Sequence, residues 1–396
     1  MKPAAPLVLT INGGSSSIKF AVYPLRGPFS KTLHGKIDRI GLPGTNLAFA
    51  DSTQKSAPPL PVPAATHASV VKFLLGWLES QIGFSSVRVI GHRVVHGLNH
   101  SAPARVTPKL LAELRRLTPC DPDHLPHELA LLEAFRRRHP EIPQVACFDT
   151  AFHQTMPSVA KLLPLPRRFD RRGIRRYGFH GLSYAFLVEE LVRLGDPAAT
   201  SGRVILAHLG NGASIAAVRH GRSRDTSMGF TPAAGLVMST RSGDLDPGLV
   251  SYLTRTGQMT PAQFDRMVNH QSGLLGVSGT SSDVRDLLAA EATDVRAAEA
   301  LALFCYQAKK WIGAYAAALG GLDTLVFAGG IGENAPVLRE RICADLEFLG
   351  VKIDRKRNAR NAAVISSPTG RVRVRVIPTD EELMIARSAG RLIARH

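Results

Sequence analysis

The stretch Val204–Gly221, VILAHLGNGASIAAVRHG, constrains this chain more than any other. An apolar run, Val204–Ala207, enters the turn His208-Leu209-Gly210-Asn211-Gly212, and a second apolar run, Ala213–Val218, leaves it. That order reads as strand, glycine-rich turn, strand. Two glycines and an asparagine tolerate positive φ and let a ligand come close to the backbone. The exposed N–H groups of such a turn suit phosphate oxygens. Taken alone, the stretch reads equally well as an ordinary hairpin.

An echo near the N-terminus favours the phosphate reading. Leu7–Lys19 reads LVLTINGGSSSIK and is followed by FAVY, so a strand again enters a polar turn, Asn12-Gly13-Gly14-Ser15-Ser16-Ser17, and a strand leaves it. Two similar units about half a chain apart suggest a duplicated fold. Two such turns, opposed, would hold a nucleotide between two lobes. Further on, apolar Leu325–Ala328 runs into Gly329–Asn334, GGIGEN, which reads as a third glycine-rich turn.

Composition narrows the class. At 396 residues, two or three domains and a sizeable core are expected. Hydrophobic residues at 44% and charged residues at 20% indicate an ordinary globular protein. The longest apolar candidate for a membrane span, Trp311–Leu322, is too short and is closed by Asp323. The opening MKPAAPLVLTI is too short an apolar stretch for a signal peptide. The cytoplasm is therefore the expected compartment, and the scattered Cys120, Cys147, Cys305 and Cys343, with no CxxC, read as reduced thiols.

A formal charge of +17 suits anionic ligands and makes nucleic acid a rival partner. The basic residues are dispersed, however. Arg136, Arg137 and Arg138 close a helical segment, where cations favour the dipole. Arg371, Arg373 and Arg375 alternate with valines and read as one solvated face of a strand. No nucleic-acid partner and no membrane are expected. The P-loop GxxxxGK[ST], the zinc helix HExxH and the nucleophile elbow GxSxG are all missing from the sequence.

Between the turns, Ala68–Gln81, Pro108–Leu117 and Pro126–Arg138 read as helices, and Val87–Gly97, VRVIGHRVVHG, as a strand. Alternation puts Arg93 and Val95 on one face and His92, Val94 and His96 on the other. The two histidines read as structural, because a strand does not bring i and i+4 together as a zinc helix does. Gln144–Phe148 is a short strand ending at Asp149, the place where α/β folds put functional groups; the plainer role for Asp149 is a helix cap. Arg241 lies in a polar, glycine-flanked loop, and such loops commonly carry function. Ala297–Leu319 is a long apolar-periodic helix. Val372–Ile377 is a strand running into Thr379-Asp380-Glu381-Glu382 and a last helix, whose adjacent acids favour the dipole.

The stretches INGGSSSIK, GHRVVHG, FDTAFHQTMP, RRYGFHG, HLGNGAS, TSMGFTPAAGLVMSTRSGDLDPG, GGIGENAP and IPTDEELMIAR, in this order, resemble the acetate kinase family from about Leu7 to Arg387. The resemblance implies an α/β fold of the sugar kinase, Hsp70 and actin superfamily: two lobes of duplicated ribonuclease-H-like topology with the active site in the interlobe cleft. It places one lobe at residues 1–150 with the C-terminal helix 381–396, and a nucleotide-binding lobe at 151–380. It implies reversible phosphoryl transfer between ATP and acetate, giving ADP and acetyl phosphate, in a cytoplasmic homodimer.

Site residues follow from the same resemblance. Arg93 and Arg241 would bind carboxylate and phosphate, Asp149 would be a catalytic carboxylate, and His180 a transition-state hydrogen-bond donor. Val95, Phe179 and Pro232 would line the acyl pocket. Lys19, His208, Leu209, Gly210, Asn211 and Gly212 would hold nucleotide phosphates. Asp283, Val284 and Arg285, with Gly330, Ile331, Gly332, Glu333 and Asn334, would receive the adenosine. Asn12 and Glu381 would hold magnesium (manganese is the alternative), with Glu382 the less favoured ligand. Two stretches depart from the family pattern. Pro122-Asp123-His124-Leu125-Pro126 stands where PLHNP is usual, which opens a kinase for propionate or another short acyl group. GLSY replaces the commoner GTSH after His180, so Leu182 and Tyr184 are the departing residues.

Overall fold

The computed structural model describes residues 5–14, 17–51, 58–63 and 66–394, so Ser15 and Ser16 of the first turn lie outside the described residues. The chain divides into two compact units, one of Met1–Ala151 with Asp380–His396 and one of Phe152–Thr379.

The described strands of the first unit are β1 (Leu7–Gly13), β2 (Ile18–Pro24), β3 (Leu33–Asp38), β4 (Asn46–Asp51), β5 (Leu60–Pro61), β6 (Val87–Val94), β7 (Ala104–Arg105) and β8 (Gln144–Phe148), ordered β5-β4-β3-β2-β1-β6-β8-β7. Those of the second are β9 (Arg203–Leu209), β10 (Ala213–Arg219), β11 (Arg222–Thr226), β12 (Thr324–Ala328) and β13 (Arg373–Val376), ordered β11-β10-β9-β12-β13. In each sheet two antiparallel strands lead to a central strand, β1 or β9, that pairs in parallel with the next strand, which pairs in parallel with the one after it. β3-β2-β1-β6-β8 and β11-β10-β9-β12-β13 thus repeat one topology, which is the duplication that the two strand–turn–strand stretches imply.

Parallel strands are covered on both faces, so they read as nearly continuous apolar runs rather than alternations. LVLTING and TLVFA are of this kind, with Leu9, Ile11, Leu325, Val326 and Phe327 at most 1% exposed. In the first unit the helix Leu125–Arg138 packs Leu131 and Phe135 into the core with Ile11, Ile18 and Phe20. The last helix, Glu381–Ile393, lies directly on β6; a Cβ on Gly91 would meet Ile385 Cγ2 at 2.5 Å, so only glycine allows that approach. In the second unit the helix Val295–Leu319 covers β9 and β10 with the fully buried Phe304 and Ile312. Burying each such side chain contributes roughly 1.5–3 kcal/mol. Among the described residues, no helix is long and apolar enough to cross a membrane.

Four expectations change. Gly329–Asn334 is a helix, not a turn: Gly329, at φ 75°, bends the chain off β12, and Ala335 N then donates to Ile331 O at 3.0 Å. His208 and Leu209 belong to β9, which tightens the central turn to Gly210–Gly212, closed by Gly210 N donating to Gly212 O at 3.1 Å. β6 stops at Val94, so Val95 follows the strand instead of alternating within it. Arg375 is buried, at 6% exposure, and donates to Asp196 Oδ2 at 2.7 Å. Arg371 and Arg373 are exposed as the alternation implies; Arg375 alone leaves that face, because Asp196 pairs it inside.

Candidate active site

The first unit gathers charge at the C-terminal ends of three parallel strands. Arg93 follows His92 near the end of β6, and Asp149 is the residue after β8; the register pairs Arg93 with Cys147 and Val94 with Phe148. Nε and Nη2 of Arg93 donate to Asp149 Oδ2 at 3.0 and 2.7 Å. Glu128, from the helix Leu125–Arg138, comes within 3.5 Å of Arg93 Nη1, and its Oε2 accepts from Val95 N at 2.8 Å. Burial works against the charge of Arg93, but Asp149, Glu128 and Glu381 outweigh it and raise its pKa. Burial pushes the Glu128 carboxyl up to about 8, opposed by the guanidinium and the Val95 amide. Arg93 therefore answers chiefly to Asp149, in keeping with the two distances.

Glu128 escaped the sequence reading. Its signal is a glutamate on an apolar stripe, Leu125, Glu128, Leu132, Phe135, at helical spacing. An acid on such a stripe is buried and therefore paired.

Asn12, at the end of β1, donates through Nδ2 to Glu381 Oε2 at 2.9 Å and to Glu382 Oε1 at 3.1 Å. Both acids open the last helix, which Asp380 caps by accepting from Leu383 N at 2.9 Å. The dipole reading of these acids and the site reading are thus compatible. Among the described residues, no group of three or more His, Cys, Asp or Glu side chains forms a metal cage. Two carboxylates and an amide match magnesium instead, which takes one or two protein carboxylates and completes its shell with water and phosphate oxygens. Lys19 is exposed on β2, opposite Asn12 and Lys36 in the ladder, and lines a cavity of about 330 Å³ with Lys31, His34 and Glu382.

The second unit assembles a separate set around its central turn. His180 takes up left-handed backbone angles, φ 58° and ψ 22°, at the start of the helix Gly181–Arg193. Such a conformation is costly for a non-glycine residue, and here the surroundings impose it. The ring of buried His153 bridges Ser223 Oγ at 2.9 Å and the Phe179 carbonyl at 3.0 Å, which pins the residue before His180. The sequence reading quoted His153 only inside a motif. Burial lowers its pKa to about 4, against the Phe179 hydrogen bond, so it is the neutral ring that holds the loop.

The imidazole of His180 stacks on His208, ring centroids 4.2 Å apart, and its Nδ1 lies 2.8 Å from Ser214 Oγ on β10. His208 Nδ1 lies 2.8 Å from Ser183 Oγ, which in turn meets Thr379 Oγ1 at 2.8 Å. Arg241 arrives from the 239–243 loop, where Ser239 N donates to Asn211 O at 3.2 Å and Arg241 Nη1 donates to Pro232 O at 3.4 Å. A Cβ built on Gly212 would sit 3.2 Å from His180 Nε2 and 3.5 Å from Arg241 Nη1. The histidine and the guanidinium therefore converge over that glycine and face one small volume. Phe179 is buried, at 1% exposure, and Pro232 is half-buried.

The helix Gly329–Asn334 lies against the central turn, where a Cβ built on Gly210 would be 3.8 Å from Gly330 N. Glu333 Oε1 accepts from Gly329 N at 2.9 Å and Thr379 N at 3.1 Å, a clasp that joins the ends of β12 and β13. Asn334 Nδ2 donates to Gly330 O at 3.0 Å. Asp283 caps the helix Val284–Ala290 and pairs with the exposed Arg285, while Val284 is buried.

A model of the acetokinase family matches residues 7–387. The chain is 44% identical over 393 residues to an acetate kinase of Rhodopseudomonas palustris, covering 98% of each chain. It is equally, 44%, identical to a propionate kinase of Citrobacter rodentium, covering 97% of this chain and 96% of that one. Among solved structures, the acetate kinase of Porphyromonas gingivalis superposes with a TM-score of 0.87 at 39% identity, covering 98% of this chain and all of the other.

Proposed function

The chain belongs to the acetokinase family and is a kinase that phosphorylates a carboxylate, and from that premise we propose the reaction acetate + ATP ⇌ acetyl phosphate + ADP by direct in-line transfer. A carboxylate oxygen attacks the γ-phosphorus, the bond to the β–γ bridging oxygen breaks, and ADP leaves. Little covalent work falls to the protein; it must align the two oxygens and neutralise charge on the moving phosphoryl group.

The convergence of His180 Nε2 and Arg241 Nη1 over Gly212 carries this reading. Arg241 offers a permanently charged fork and His180 an adjacent donor, the pair that developing negative charge requires. Arg93, oriented by Asp149, is the fork for the substrate carboxylate, with Val95, Phe179 and Pro232 as apolar contacts for its methyl group. The turn Gly210–Gly212, with His208 and Leu209 before it, receives nucleotide phosphates. Asp283–Arg285 and Gly330–Asn334 receive the nucleoside, and Lys19 adds positive charge. Asn12, Glu381 and Glu382 would hold magnesium, or manganese, and the ion would supply charge neutralisation on the phosphates. A cytoplasmic homodimer completes the proposal on family grounds.

The equal identity to a propionate kinase favours a second reading, a kinase for a longer acyl group. ATP formation from ADP with acetyl, propionyl and butyryl phosphate in Mg²⁺ separates the two. Turnover that falls with chain length supports acetate; a kcat/KM ratio above one for propionyl over acetyl phosphate supports propionate; no turnover with any of the three overturns both.

A further inference from the structure

The two carboxylate oxygens of Glu128 are treated unequally. Oε2 accepts from Val95 N at 2.8 Å. Oε1 is buried and, among the described residues, has no hydrogen-bond donor; Arg93 Nη1 stands off at 3.5 Å. A charged hydrogen bond would close to about 2.7–2.9 Å. Arg93 in turn uses Nε and one proton of Nη2 on Asp149, and its Nη1 makes no hydrogen bond among the described residues. A guanidinium carries five N–H groups. The Nη1–Nη2 edge is therefore the fork left for a substrate carboxylate, and Glu128 Oε1 lies beside it.

The charges around Glu128 decide which form of the acid sits there. Arg93 faces it from β6, Asp149 from the end of β8 and Asp121 from the turn before its own helix, while Glu381 of the last helix acts on Arg93. His124 Nδ1 lies 2.8 Å from Asp121 Oδ1, and burial lowers the pKa of His96 to about 4, so that ring brings no positive charge. One guanidinium already bonded to Asp149 does not neutralise a second buried carboxylate as well. An acid whose side chain is 1% exposed, with one oxygen short of a donor, keeps its proton instead. Burial accordingly pushes the Glu128 carboxyl up to about 8. Above that pH two anions, Glu128 and the substrate, compete for one fork.

We propose that Glu128 is a proton-controlled positioning residue: as the neutral acid it leaves the Nη1–Nη2 edge of Arg93 to the substrate carboxylate, and as a carboxylate it takes that edge itself. Glu128 acts through Arg93 and touches neither substrate nor nucleotide. The inference rests on the role of Arg93 in the phosphoryl-transfer reading above.

The test compares wild type with Glu128→Gln, whose amide keeps an acceptor for Val95 N and stays neutral at every pH. In the wild type, KM for acetate should rise about tenfold from pH 7 to pH 9 with KM for ATP little changed; in Glu128→Gln the acetate KM should stay level. Propionate is run alongside for the second reading. Calorimetry of acetate binding in two buffers of different ionisation enthalpy needs neither turnover nor a variant. Acetate is ionised throughout, so binding to the acid form of Glu128 should take up most of one proton at pH 8.5 and close to none at pH 6.5. A role in folding alone would lower Tm and leave the pH profiles of the two proteins parallel. A level acetate KM in the wild type, no proton uptake at pH 8.5, or a folded Gln variant whose KM rises in parallel overturns the proposal. Should the chain turn over no acyl phosphate, the kinase reading fails while proton uptake on acetate binding still decides the role of Glu128.

Discussion

Arg93 and Asp149 reach each other from adjacent parallel strands, with Nε and Nη2 of the guanidinium at 3.0 and 2.7 Å from a single carboxylate oxygen. The side chains are 15% and 1% exposed, so this is an ion pair largely out of water. Removing Asp149 takes away the nearer partner of Arg93 and leaves Glu128 at 3.5 Å, so the cost falls below the roughly 3–5 kcal/mol of a fully uncompensated buried charge. Asp149→Ala should lower Tm by several degrees and, because Arg93 loses its anchor, reduce kcat/KM for acetate by about 100-fold. Thermal unfolding and steady-state kinetics on the one variant check both; an unaltered kcat/KM would detach the pair from the chemistry.

Arg241 should behave differently. Its Nη1 donates to a backbone carbonyl, Pro232 O, at 3.4 Å, a long contact whose loss costs little. Arg241→Ala should keep Tm within a degree or two and lower kcat by roughly 10³, the scale of an arginine finger. Near-normal kcat would remove Arg241 from the transition state.

Gly212 offers a test that deletes no functional group. An added methyl would lie 3.2 Å from His180 Nε2 and 3.5 Å from Arg241 Nη1, tight but without hard overlap. Gly212→Ala should fold with near-normal stability yet lose at least tenfold in kcat, since the methyl occupies the volume the two donors share. Equal activity in a folded variant would show that the reacting group sits elsewhere.

Magnesium dependence should separate the two acids beside Asn12. Both accept from its amide, Glu381 at 2.9 Å and Glu382 at 3.1 Å. Glu381→Gln should raise the Mg²⁺ concentration for half-maximal activity about tenfold, and Glu382→Gln by less. A Mg²⁺ titration of kcat in each variant reads this directly, and the reverse order would exchange their roles.

Acid stability follows from histidines kept neutral by burial. Burial lowers the pKa of His92 to about 3, against the Gln144 hydrogen bond, and that of His153 to about 4. Both lie below the unfolded value of about 6.5. Above pH ~6.5 neither state protonates these two rings, and their contribution to stability is level. As pH falls from ~6.5 toward the folded pKa values, only the unfolded chain takes up protons, so stability drops by up to about 1.4 kcal/mol per pH unit for each ring. Tm should fall between pH 6.5 and 5, less than the two rings alone would give, because folded Glu128, at about 8, takes up its proton before the unfolded chain does. His153→Gln, less stable outright for its two lost hydrogen bonds, should show a shallower slope over that window.

What could be read from the chain follows local periodicity. The runs at 7–13, 18–24, 203–209 and 213–219 are strands because continuous apolar residues flank polar, glycine-bearing turns, and the repetition of that pattern is visible without coordinates. The helix bounds 67–81, 108–116 and 125–138 agree with their apolar spacing within a residue or two. GGIGEN misled because glycine weakens a helix on average; here Gly329 makes the bend, and contacts to β9 and to Thr379 stabilise the short helix after it.

The sequence by itself determined the strand–turn–strand repeats, the apolar faces and the residue types that phosphoryl chemistry requires, since each depends on neighbours a few positions apart. Only the tertiary structure decided who pairs with whom. Glu128 with Arg93, Asp196 with Arg375 across 179 positions, and Tyr184 with His180 through Ser214 are partnerships between distant segments. Burial withdraws each of these groups from water, and in a dry interior a polar group must take whichever partner the fold brings within about 3 Å. No local pattern encodes that choice.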